Sequence, residues 1–175
     1  MLKKLAQKDL INYVKYQGVT LTDQGRKYAL SIIRKHRLWE VFLVDKLGFR
    51  WDEIHEIAEQ LEHVQSSLLT DRLDAFLNYP EFDPHGDPIP NAKGQISSLR
   101  QVFLCDMESG KTGTIAGVKD SSTLFLQYLE KIGIGIGSSF RIMDKISFDK
   151  SVEILVDNRK ILVSREVAAN LFSME

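Results

Sequence analysis

The spacing of apolar and polar positions changes several times along the 175 residues. Leu2, Leu5 and Ala6 fall on one side of a helical turn, with Lys3, Lys4 and Lys8 on the other, so residues 1–9 read as the end of a helix. Residues 10–16 are rich in β-branched and aromatic side chains. Gln17 and Gly18 mark a turn, and residues 19–21 a short return strand, giving a small hairpin with Lys15 near its tip. Thr22 or Asp23 then caps a long helix that runs to about Lys46 and is ended by Gly48. Within it, residues 38–44 are apolar nearly all round, which predicts burial on several sides and, in a chain of this size, a subunit interface. A second helix is expected from Asp52 to about Val64. A third covers residues 67–78, closed by Asn78, Tyr79 and Pro80. All four prolines lie between residues 79 and 97, at 80, 84, 88 and 90. That stretch reads as an irregular linker and the expected domain boundary.

The second half has a different grain. Residues 110–118 read as a turn and a strand, and residues 123–132 as a short amphipathic helix. Strands are expected over 139–146, 151–156 and 160–163, followed by a closing helix over 165–172. Short strands joined by glycine turns predict a small barrel, so the chain belongs to the α+β class.

Composition narrows the function. With 43% apolar and 27% charged residues, collagen-like, low-complexity and disordered chains are excluded. No apolar run approaches the ~20 residues of a membrane span, and the N-terminus lacks the apolar core of a signal peptide. The single cysteine, Cys105, excludes an intrachain disulfide framework, fits a reducing cytoplasm and reads as a small core residue. The net charge of −1 conceals a net of +7 over residues 1–37, −9 over 38–90 and +1 over 91–175. A basic head points to a polyanion and an acidic middle to cations; two solvated faces of opposite sign would read the same way.

The chemistry concentrates in residues 55–63. At 100° per residue, His55, Glu59, Glu62 and His63 share one strip of roughly 100°, beside an apolar strip of Ile54, Ile57, Ala58, Leu61 and Val64. The preceding helix adds His36 and Glu40 at i,i+4, also on one face. Imidazoles and carboxylates without thiolates suit Mn(II), Fe(II) or similar ions; a solvated acidic helix edge with incidental histidines is the alternative. Enzyme motifs fail. Residue 59 is Glu, so His55-Glu56 does not open the zinc-protease motif. The first glycine of a phosphate loop ending at Gly110-Lys111-Thr112 would fall on Cys105. Gly133, Gly135 and Gly137 have the spacing of a barrel turn rather than of a dinucleotide loop.

Several segments together carry a resemblance. They are Leu21-Thr22-Asp23-x-Gly25, Arg34-Lys35-His36-Arg37-Leu38-x-Glu40, Trp51-Asp52-Glu53-Ile54-His55-Glu56, Glu62-His63, and Pro84-His85-Gly86-Asp87-Pro88-Ile89-Pro90. The chain resembles the diphtheria toxin repressor family of metal-activated transcriptional repressors, which includes the manganese transport regulators. The resemblance implies a remnant of a winged helix over 1–24, a helical metal-binding and dimerisation domain over 25–96, and an SH3-like domain over 97–175. It matches His36, Glu40 and His55 to one metal site, and Glu59, Glu62 and His63 to the site that drives activation. Iron-responsive members carry cysteine where Glu59 stands, so Mn(II) is expected first and Fe(II) second. Asp83 and His85 are implied as extra ligands. Asp120 is a further candidate from the SH3-like domain, although it reads first as a turn aspartate.

The family begins with a winged helix-turn-helix that reads DNA. Residues 1–8 match only the end of its recognition helix and residues 10–21 its wing, as in a short form, a mis-assigned start or a fragment. Lys3, Lys4, Lys8 and Lys15 remain to contact phosphates, giving salt-sensitive and poorly specific affinity. The expectation is a homodimeric, non-enzymatic repressor that binds double-stranded DNA in its full-length pattern. The alternative is a metal-binding dimerisation protein without specific DNA binding of its own.

Overall fold

A computed structural model describes all residues except Met1, Lys15, Gln17, Ser98 and Glu175. The hairpin-tip Lys15 therefore lies outside the described residues. Helix α1 (Leu2–Gln7) leads into an antiparallel hairpin, β1 (Ile11–Val14) and β2 (Gly18–Leu21), with Ile11 opposite Leu21. Helix α2 (Asp23–Leu47) starts where its cap predicts: the Thr22 hydroxyl oxygen accepts from the Gly25 amide, and its proton goes to the Asp9 carbonyl. Gly25 is obligatory at this crossing, because a Cβ there would stand 1.8 Å from the Leu10 carbonyl oxygen. Gly48, at φ +72°, ends the helix in the left-handed conformation.

Helix α3 (His55–Leu61) starts three residues later than the expected Asp52. The Asp52 carboxylate is engaged elsewhere, by Arg50 and by Gln127 of the C-terminal half, so it cannot cap. The helix also stops before His63. Helix α4 (Ser67–Phe76) is capped by Ser66, and positive φ at Asn78 and Tyr79 turns the chain away.

The apolar girdle at residues 38–44 meets partners within its own chain. Leu38 and Val41 pack with Leu73, Leu77 and Ile89, while Leu43 packs with Ile54 and Ala58. The all-round pattern thus reflects two cores flanking one helix, and needs no second subunit to account for it. Nor is the proline-rich stretch a solvated linker. Asp83, His85, Gly86, Ile89 and Pro90 are buried. The Asp83 carboxylate accepts from the amides of His85 and Asp87, which folds the loop onto itself. Gly86, at φ +88°, lies so close to residues 116 and 117 that a Cβ would come within 2.2 Å of the Ala116 carbonyl.

The C-terminal half contains β3 (Gln101–Phe103), a 3-10 turn (Leu104–Asp106), β4 (Thr112–Thr114), β5 (Gly117–Val118), α5 (Thr123–Ile132), β6 (Ser139–Lys145), β7 (Val152–Val156), β8 (Arg159–Val163), α6 (Arg165–Ala168) and β9 (Leu171–Met174). Two antiparallel sheets, in the orders β3-β9-β5 and β4-β6-β7-β8, enclose a core that includes Leu104, Ile115, Ile142 and Ile154, with Leu126 and Leu129 of α5. The expected closing helix over 165–172 is a single turn followed by a strand. Leu171 and Phe172 are extended, fully buried and paired with β5 and β3, and burial on a sheet has overridden their helical spacing. Among the described residues no helix is long and apolar enough to cross a membrane.

Candidate metal centre

Helix α2 carries His36 and Glu40 one turn apart, and α3 brings His55 against them. His36 Nε2 lies 3.0 Å from Glu40 Oε1 and 3.2 Å from His55 Nδ1, and His55 Nδ1 lies 3.5 Å from the same carboxylate oxygen. His36 Nδ1 lies 2.8 Å from Glu62 Oε2. With the proton on Nδ1 donated to Glu62, the Nε2 lone pair faces Glu40 and His55. A histidine held by a carboxylate behind it is the arrangement that orients metal ligands.

The loop after α4 closes the other side. His85 Nδ1 is 3.9 Å from Glu40 Oε2 and 4.0 Å from Asp83 Oδ1. Its Nε2 donates to the Trp51 carbonyl across 2.9 Å, which leaves Nδ1 as the free nitrogen. Arg37 lies 3.5 Å from Asp83 and 3.1 Å from Asp87, and donates to the Pro88 carbonyl, tying this loop to α2. Two sets of donors are therefore close enough to hold an ion: His36, Glu40 and His55; and Glu40, Asp83 and His85. They line one open cleft of roughly 340 Å³.

The electrostatics follow from burial against partners. Burial disfavours a charged His36, but the hydrogen bonds and charges of Glu40 and Glu62 outweigh it and raise the imidazole above its ordinary value. Burial likewise opposes the charge on Glu40, yet His36, with His85 and His55, holds its carboxyl below the ordinary carboxylate value. Asp83 is pushed up to about 7, first by burial and then by the negative charge of Glu40.

Glu59 is exposed at the rim of the cleft. Glu62 reaches His36, whereas His63 lies exposed beyond the end of α3. Glu59, Glu62 and His63 do not form a three-donor group among the described residues. Asp120 accepts from the Ser122 amide at the start of α5, and its neighbour Ser121 touches the cleft. Lys3, Lys4 and Lys8 are exposed. Sequence reasoning assigned no role to Arg37, Asp87 or the Trp51 carbonyl. Their parts depend on contacts across 34 to 51 residues of chain, for which no local pattern exists.

Known proteins converge on this arrangement. Residues 22–91 match the iron dependent repressor metal binding and dimerisation domain, and residues 102–174 match the FeoA domain. A solved manganese-dependent transcriptional repressor in complex with manganese superposes with a TM-score of 0.86 at 38% identity, over 99% of this chain and 81% of that one. The iron-dependent repressor IdeR of Mycobacterium tuberculosis is 38% identical over 89 residues, 51% of this chain and 39% of IdeR. A probable metal transport system membrane protein of Chlamydia trachomatis serovar D is 41% identical over 86 residues, 49% of this chain and 19% of that protein. The alignments thus span less than half the length of these two curated relatives. With both halves matched and 38% identity across 81% of a solved repressor, the chain belongs to the diphtheria toxin repressor family of metal-dependent transcriptional repressors.

Proposed function

We propose that this chain is the metal-sensing, dimerising body of a Mn(II)- or Fe(II)-responsive repressor that controls metal homeostasis. The observation that carries the reading is the convergence of His36 Nε2, Glu40 Oε1 and His55 Nδ1, with Glu62 behind His36. Nitrogen and oxygen donors without a thiolate suit these hard-to-borderline ions. A bound ion would join α2 to α3 and neutralise carboxylates that otherwise repel one another. Glu59, at the rim, is the further acidic ligand candidate. In the assembled repressor the ion's role is to fix the body relative to the DNA-reading part, to which Lys3, Lys4 and Lys8 add phosphate contacts.

The proposed homodimer uses the apolar side chains that remain exposed near the ends of α2 and α4, among them Leu47, Leu68, Leu69 and Phe76. Sedimentation should give a dimer at micromolar concentration, and Leu68→Glu should shift it to monomer.

A second reading draws on the Chlamydia relative, in which a similar stretch occurs within a protein described as a membrane component of metal transport. Such a body can serve as a metal-binding dimerisation module with no specific DNA binding of its own. A Mn(II)-dependent gel shift with the chain alone separates the two. A sequence-specific shift supports the repressor. Mn(II) binding without any shift supports the module.

A further inference from the structure

We propose that a polar latch made only of protein groups holds the SH3-like half in place on the helical body before any ion arrives, with Arg50 and Asp52 on one side and Gln127 and Glu130 of α5 on the other. The latch contains no candidate metal ligand, so it stands apart from the metal-sensor reading. Three observations carry it.

The first is reach. Gln127 Nε2 donates to Asp52 Oδ2 across 3.0 Å, and Arg50 Nη2 donates to Glu130 Oε2 across 2.6 Å, bonds that span 75 and 80 residues of chain. Gln127 and Glu130 are three residues apart on α5 and so share one face of it. Arg50 ties the two bonds together, with Nε 3.1 Å from Asp52 Oδ1 and Nη2 3.3 Å from Asp52 Oδ2. Between Arg50 and Asp52, Trp51 packs on the core of the C-terminal half.

The second is burial. The side chains of Arg50 and Glu130 are 51% and 54% exposed, whereas that of Asp52 is 2% exposed. The outer ion pair is open to water and salt, and such pairs hold weakly. The inner carboxylate is shut from water where the halves meet, and losing a donor there is costly. One of its donors, Gln127, belongs to the far half. The bond from Gln127 to Asp52 therefore decides how firmly the halves stay together.

The third is a separate point of attachment. The Val118 amide of β5 donates to the His85 carbonyl across 2.9 Å, beside the close approach of Gly86 to Ala116. Halves joined by an exposed tether move freely by default, and the described residues from 91 to 100 are exposed apart from Gly94. Contacts at both α5 and β5 fix an orientation that one contact alone leaves free. Held so, Lys119, Ser121 and Thr123 line a cleft of roughly 600 Å³ together with Glu53, His55 and Glu56. The latch thereby sets the width of the approach to His55.

The test is small-angle X-ray scattering and differential scanning calorimetry of the whole chain in EDTA. The parent should scatter as the compact structure and melt in one transition. Gln127→Glu places a carboxylate against Asp52, and should give a longer maximum dimension and two transitions as the halves part. Gln127 is exposed on α5 and Glu has a similar helix propensity, so each half still folds. Gln127→Lys places an ammonium against Asp52, and should keep one transition and raise its temperature. A parent whose halves are apart in EDTA and close only when Mn(II) is added overturns the latch. So does a Gln127→Glu chain that scatters and melts like the parent, or a Gln127→Lys chain that loosens as the Glu variant does.

Discussion

His85 donates from Nε2 to the Trp51 carbonyl across 2.9 Å, and the two rings stack with centroids 6.3 Å apart. Trp51 in turn packs on the core of the C-terminal half, and the His85 carbonyl accepts from the Val118 amide of β5. The candidate ligand is therefore wired to the SH3-like half on both its ring and its main chain. An ion that fixes His85 also fixes where that half sits.

Trp51 should accordingly report occupancy. In a Trp39→Phe background, Mn(II) should quench the remaining tryptophan emission, and His85→Asn should abolish the quench while His55 still binds an ion. Unchanged emission at saturating Mn(II) in the parent would show that no ion sits near His85.

The two candidate sites should differ in sensitivity. His36 touches Glu40, His55 and Glu62, whereas His63 is exposed beyond α3. His36→Ala should weaken Mn(II) binding by about 10- to 100-fold, the usual cost of losing a ligand or its support. His63→Ala should cost less than about 3-fold on the same scale. Calorimetry of both variants at neutral pH decides, and the reverse ranking would place the stronger site at Glu59, Glu62 and His63.

Binding should be lost on acidification. Asp83 is raised to about 7, so without metal it carries a proton below that pH. Its folded value exceeds the unfolded one, so the stability it contributes is present at low pH and is lost as pH rises through about 7. His36 is raised as well, and must also be neutral to bind. Metal replaces these protons. The increase in Tm caused by saturating Mn(II) should therefore be larger at pH 8 than at pH 6, by a few degrees. Differential scanning calorimetry with and without Mn(II) checks it.

Arg34, which joins α2 to α4, should show how burial sets the strength of an ion pair. Its contact with Asp74 is 2.7 Å to a side chain 15% exposed; that with Asp71 is 3.4 Å to one 61% exposed. Asp74→Ala should cost about 3 kcal/mol, because it strands a buried guanidinium. Asp71→Ala should cost about 0.5 kcal/mol. Urea denaturation of the two variants measures the difference.

Gly86→Ala tests the packing of the proline-rich loop. The new Cβ would meet the Ala116 carbonyl at 2.2 Å, on a backbone already at φ +88°. Strain and overpacking together should cost about 2–4 kcal/mol. The variant should also lose the Trp51 response, because the loop carries His85. A variant as stable as the parent would mean that the loop does not seat on β5.

The features legible in the chain alone are local. The bounds of α2 lie in Thr22 and Gly48, and the end of α5 in Gly133, because caps and left-handed glycines act within one turn of chain. The pairing of His36 with Glu40 follows from helical geometry at i,i+4. The motifs at residues 34–40, 51–56, 62–63 and 84–90 carried the family. The rest was set by packing in three dimensions, since those relationships join residues far apart in the chain. Residues 171–174 are a strand because β3 and β5 supply partners that their own spacing does not mention. The stretch around His85 is buried where Gly86 admits the backbone of Ala116, and Arg37 of α2 holds the same loop, which together bring Asp83 and His85 to Glu40. Glu62 keeps helical dihedrals just past Leu61, and its carboxylate meets His36 of α2, a partner that the helical wheel of residues 55–63 does not name. Hydrogen bonds and charges act over a few ångströms of space, and sequence patterns resolve that distance only where the chain itself is short.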